Sequence, residues 1–130
     1  MQGRPLIGVL DDESQFCKAL GRLLKTHGFE VVTFAHGEDL LAAPALPWPD
    51  CLLLDLHMPG LSGFQVLERL TAQHVPMPVV VITGHDQPGN AERVRGLGAV
   101  EYLLKPLSET QLLAAIGTAM DSAGQSSIVQ

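Results

Sequence analysis

Cys51-Leu52-Leu53-Leu54-Asp55-Leu56-His57-Met58-Pro59-Gly60 is an apolar run that stops at a carboxylate and passes into a proline-glycine turn. A short, continuous apolar run bounded by turn residues suits a strand buried on both faces, as strands of parallel sheets are. Three further runs end in polar residues in the same way. Leu6-Ile7-Gly8-Val9-Leu10 stops at Asp11-Asp12-Glu13, Val79-Val80-Val81-Ile82 at Thr83, and Val100-Glu101-Tyr102-Leu103-Leu104 at Lys105-Pro106. Glu30 to Phe34 is a fifth, shorter β-rich run. Between the strands lie helical patterns over Ser14–Lys25, Gly37–Ala43, Phe64–Leu70 and Asn90–Leu97. Ser108-Glu109-Thr110-Gln111 matches a capping box ahead of a last helix, Leu112 to Ala119. Gly28 suits the left-handed cap after the first helix, and the prolines between Pro44 and Asp50 exclude a helix there. Five strands alternating with five helices give an α/β fold, a doubly wound parallel sheet with helices on both faces. In such sheets ligands bind at the carboxyl ends of the strands, where these polar residues converge.

A length of 130 residues with a hydrophobic fraction of 46% and 17% charged residues fits one well-buried domain. The net charge of −6, from 8 basic and 14 acidic residues, argues against direct nucleic-acid binding. No apolar stretch approaches the roughly 18 to 20 residues that span a bilayer, and no signal-peptide pattern opens the chain, so a soluble cytoplasmic protein without membrane contact is expected. Cys17 and Cys51 fit small apolar core positions in a reducing compartment. Residues 1–122 are expected to form the domain, with 123–130 a small, polar, frayed tail or the start of a linker, and no output domain present.

Asp11, Asp12 and Asp55 brought together would repel one another unless a cation sat among them. A hard divalent ion such as Mg²⁺, which prefers oxygen ligands, resolves that conflict. Lys105 adds fixed positive charge and Thr83 a hydroxyl, an arrangement suited to an incoming phosphoryl group with a carboxylate as nucleophile. Each residue alone has a plainer reading: an Asp after a strand is more often a helix cap, an Asp-Asp pair a solvated turn, and a Tyr in a strand packing. Their coincidence at successive strand ends raises the odds, and leaves a phosphoryl site and another divalent-metal site evenly matched.

Four motifs in order, Val9-Leu10-Asp11-Asp12-Glu13, Leu53-Leu54-Asp55-Leu56-His57-Met58-Pro59-Gly60, Val81-Ile82-Thr83-Gly84 and Tyr102-Leu103-Leu104-Lys105-Pro106, resemble those of two-component response regulator receiver domains. The resemblance runs from about Leu6 to Met120 and implies a flavodoxin-like strand order 2-1-3-4-5. It implies a phosphorylation-activated switch in a His-Asp phosphorelay. Asp55 would accept a phosphoryl group from a sensor histidine kinase or histidine phosphotransfer protein. Asp11, Asp12, Asp55 and the backbone carbonyl of His57 would hold Mg²⁺, with Mn²⁺ able to substitute. Thr83 and Lys105 would close on the phosphoryl oxygens, Tyr102 would be the rotamer switch, and a cis bond before Pro106 would aim Lys105. His57, Met58, Gly84 and His85 would rim the pocket, Gly84 leaving it open.

The wording around Thr83-Gly84-His85 is similar to receivers of the helix-turn-helix transcription-factor subclass, which implies a phosphorylation-dependent homodimer and a separate or missing C-terminal output domain. Leu107 departs from an aromatic residue common at that position. His57 and His85 read as exposed rim residues, since Mg²⁺ prefers oxygen. The chain is expected to be a regulatory domain with intrinsic self-phosphorylation and autodephosphorylation, not an enzyme. A small metal-dependent phosphatase with an aspartyl-phosphate intermediate and a phosphate-independent scaffold are the alternatives.

Overall fold

The computed structural model describes residues 3–42 and 47–129. Five strands, β1 (Leu6–Leu10), β2 (Glu30–Phe34), β3 (Cys51–Asp55), β4 (Val79–Thr83) and β5 (Glu101–Leu104), alternate with α1 (Ser14–Thr26), α2 (Gly37–Leu41), α3 (Gly63–Ala72), α4 (Asn90–Gly96) and α5 (Glu109–Val129). All strand pairs are parallel, in the order β2-β1-β3-β4-β5.

Every residue of β3 and β4 is buried, which is why those segments read as unbroken apolar runs. Side chains alternate between two cores. Leu10, Leu52, Leu54, Val79 and Val81 meet Leu40, Val66, Leu67, Leu70 and Val94 of α2, α3 and α4. Ile7, Val9, Cys51, Leu53 and Val80 meet Cys17, Leu20 and Leu24 of α1 and Leu112, Ile116 and Ala119 of α5. Both cysteines are free and buried. The Cys51 thiol is pushed up to about 12 by burial and then by Asp50, as an inert core filler should be.

Gly28, at φ 89°, ends α1 in the left-handed conformation that a side chain disfavours. Ser108 Oγ accepts from Gln111 N at 3.3 Å at the start of α5. A second capping box, not anticipated, starts α3: Ser62 Oγ accepts from Gln65 N at 3.2 Å, and Gln65 Oε1 accepts from Ser62 N at 2.9 Å. The tail expected to fray from residue 123 is helical to Val129. No proline interrupts it, and Gly124 costs a helix only about 1 kcal/mol. Ala43, expected to close the second helix, and Pro44 to Leu46 of the following loop lie outside the described residues, as does Gln130. No helix among the described residues is long and apolar enough to cross a membrane.

Candidate phosphoryl-acceptor site

Strand register sets the site. Leu10 pairs with Leu54, Asp55 with Ile82, and Thr83 with Leu104, so the carboxyl ends of β1, β3, β4 and β5 finish at one level. The next residues of β1 and β5, Asp11 and Lys105, are anchored by Asp11 N donating to Phe34 O at 3.1 Å and Lys105 N to Thr83 O at 2.8 Å. The Lys105–Pro106 peptide bond is cis.

Carboxylate oxygens of Asp11, Asp12 and Asp55 lie within 4.8 Å of one another, with Asp11 and Asp55 buried and Asp12 exposed. Burial, and secondarily the charge of Asp11, push the Asp55 carboxyl up to about 6, while Lys105 pulls the other way. Lys105 Nζ donates to Asp11 Oδ2 at 2.8 Å and to Glu13 Oε1 at 3.0 Å, and stands 4.1 Å over the Phe16 ring. Burial works against the ammonium charge, but the bonds to Asp11 and Glu13 prevail and its pKa is raised. Among the described residues Lys105 is the one cation in salt-bridge contact with this cluster, and it pairs Asp11 and Glu13 while Asp12 and Asp55 have no cationic partner at that distance. An all-oxygen, electron-rich pocket fits Mg²⁺ or Mn²⁺.

Thr83 is fully buried, its Oγ1 accepting from His85 N at 3.0 Å and donating to His85 O at 3.3 Å. His57 N donates to Asp55 Oδ1 at 3.4 Å. The His57 and His85 rings are both exposed and stand edge to face, 5.5 Å apart. Gly84 is exposed, and a methyl group there would touch Lys105 Cδ at an ordinary 3.9 Å, so space alone does not require glycine. Met58 does not stand free at the rim: it is buried in the core under α2 and α3. Tyr102 lies farther off, its hydroxyl donating to Asp86 Oδ1 at 2.8 Å. Burial and then that bond raise its pKa, opposed by the nearby Asn90 amide, although Asn90 Nδ2 does not reach full hydrogen-bond geometry.

Sequence reasoning gave no role to four residues. Glu13 and Phe16 hold the Lys105 ammonium, and Asp86 holds Tyr102. Gly63 lets α3 approach β3: a Cβ there would sit 2.6 Å from Asp55 O and 2.7 Å from Leu56 Cα. Its N–H donates to Leu56 O at 2.9 Å. The signal for Gly63 was the second glycine of Pro59-Gly60-Leu61-Ser62-Gly63, directly after a capping serine.

Residues 7–117 match the family model described as the response regulator receiver domain. The transcriptional regulatory protein FixJ of Bradyrhizobium diazoefficiens is 37% identical over 118 residues, 90% of this chain and 57% of FixJ. Protein PilH of Pseudomonas aeruginosa is 34% identical over 114 residues, 86% of this chain and 94% of PilH. The crystal structure of FixJ-N superimposes with a TM-score of 0.82 at 33% identity, over 93% of this chain and 96% of that one. The chain thus spans little more than half the length of FixJ and nearly all of PilH.

Proposed function

The chain belongs to the response regulator receiver domain family and is a phosphorylation-activated switch of a two-component system, and from that premise we propose that Asp55 is its phosphoacceptor. The observation that carries this reading is the meeting of three carboxylates within 4.8 Å beside Thr83 and Lys105 at four parallel strand ends. A carboxylate oxygen of Asp55 attacks the phosphorus of the donor, forming the acyl phosphate bond as the bond to the donor breaks. The donor's leaving atom is a histidine nitrogen of a sensor kinase or phosphotransfer protein, or the acyl oxygen of acetyl phosphate. Water later attacks the same phosphorus, releasing inorganic phosphate and restoring Asp55.

Asp11, Asp12, Asp55 and the His57 carbonyl would hold Mg²⁺, which when bound supplies positive charge to the phosphoryl oxygens. Lys105 leaves Asp11 and Glu13 for a phosphoryl oxygen, and Thr83 exchanges its bonds with His85 for another. The space Thr83 vacates admits the Tyr102 ring, which remodels the face made by α4, β5 and α5. Both chemical half-reactions are the domain's own, so it labels itself from small donors and loses the label spontaneously.

Residues 1–122 constitute the switch, with 123–130 leading out of it. Its output lies in a C-terminal domain or a separate protein, and it acts in the cytoplasm. The test is incubation with acetyl phosphate with and without Mg²⁺: intact mass rises by one phosphoryl group only with the ion. No adduct from acetyl phosphate, phosphoramidate or a phosphohistidine donor contradicts the assignment.

A further inference from the structure

We propose that Asp86 is a positioning residue, a latch whose carboxylate holds the Tyr102 hydroxyl and so opposes the switch until Thr83 moves. The inference rests on the reading of Tyr102 as the switch residue and adds the device that restrains it. Two sets of bonds share the β4–α4 loop. Thr83 Oγ1 is bound to both the N–H and the carbonyl of His85. Asp86 is the next residue, and its Oδ1 accepts from Tyr102 at 2.8 Å. When Thr83 gives up His85 for a phosphoryl oxygen, the backbone immediately before Asp86 loses its two fixings to β4. The carboxylate then no longer stays in register with the ring on β5.

Charge makes the acceptor stronger than a neutral oxygen in the same place. Asp86 is exposed, so replacing it leaves the fold intact and alters only the balance between two positions of the ring. Lys105, Asp11 and Asp55 make no contact with this pair within hydrogen-bonding distance, so its effect on phosphoryl chemistry comes through the loop alone.

Tyr102 is the only tyrosine in the chain, so protein carrying ring-labelled tyrosine gives one assignable signal. The probe is beryllofluoride with Mg²⁺, standing in for the phosphoryl group on Asp55, titrated into wild type, D86A and D86N. In D86A the unliganded tyrosine signal is expected to move toward the position that wild type reaches at saturation. Half-saturation should fall by about three- to tenfold, the effect of losing one solvent-exposed hydrogen bond in one state only. D86N keeps an acceptor oxygen and should return both readouts toward wild type. A wild-type signal that moves on saturation, with D86A unchanged in signal and half-saturation, removes the latch alone. A wild-type signal that never moves removes the switch reading and the latch with it.

Discussion

Asp55 is held where ionising it is costly, and the cost has a definite pH dependence. Its folded pKa, about 6, lies above the ordinary 3.8 because burial and Asp11 disfavour the charge. The native state therefore binds a proton more tightly than the unfolded chain, and this favours folding fully below about pH 4 and is lost as pH rises through about 6. In chelator, D55N should be more stable than wild type at pH 8 by about 1 to 2 kcal/mol, with the difference closing toward pH 4. Chemical denaturation at several pH values reads this. Equal stability at pH 8 would mean that the acidic cluster is not self-repelling. Adding Mg²⁺ should reverse the order by binding the native wild type, raising its melting temperature while leaving D55N nearly unmoved. A matched response of the two proteins would place the ion elsewhere.

The start of α3 is where an element fixes the site. Gly63 allows close approach to Asp55 O, and the Ser62–Gln65 box supplies the cap. The two contributions separate by mutation. G63A drives a methyl group into backbone at 2.6 Å, so it should cost about 1 to 3 kcal/mol and slow labelling by acetyl phosphate, because the end of β3 must shift. S62A should cost about 1 kcal/mol through the lost cap and leave the labelling rate near wild type. Equal labelling rates in the two variants would show that α3 does not position Asp55.

These elements also show what was legible in the chain. Cys51 to Asp55 announced a doubly buried strand because burial on both faces leaves no polar alternation to confuse it. Asp11, Asp55, Thr83 and Lys105 could be grouped because parallel topology brings strand ends together whatever lies between them. Gly63 left only the faint signal of a glycine after a serine, because what requires it lies across a turn rather than along a helix: a Cβ there would sit 2.7 Å from Leu56 Cα. Asp86 was silent for a similar cause: its partner Tyr102 is 16 residues distant and the meeting depends on loop path. The length of α5 escaped because Ala, Gln and Ser after Asp121 permit a helix without demanding one.

For the whole molecule, the question is how a charge on Asp55 reaches a partner. Leu104, 48% exposed, is the large hydrophobic side chain left uncovered among the described residues, and it ends β5, an edge strand of the sheet. Edge strands carrying exposed apolar groups favour association. Beryllofluoride with Mg²⁺ should therefore double the mass seen by light scattering, and L104E should abolish the doubling while leaving phosphorylation of Asp55 intact. An unchanged mass at high protein concentration would remove the dimer.

The proposed switch, from pocket to loop to exposed face, turns on phosphorylation at Asp55. The direct measurement is to label the protein with acetyl phosphate and Mg²⁺, reduce the acyl phosphate with borohydride, and sequence the peptides by mass spectrometry. Reduction should convert Asp55 alone to homoserine, with no conversion in chelator. Conversion at Asp11, Asp12 or any other carboxylate in place of Asp55, or none at all in the labelled protein, would contradict the assignment.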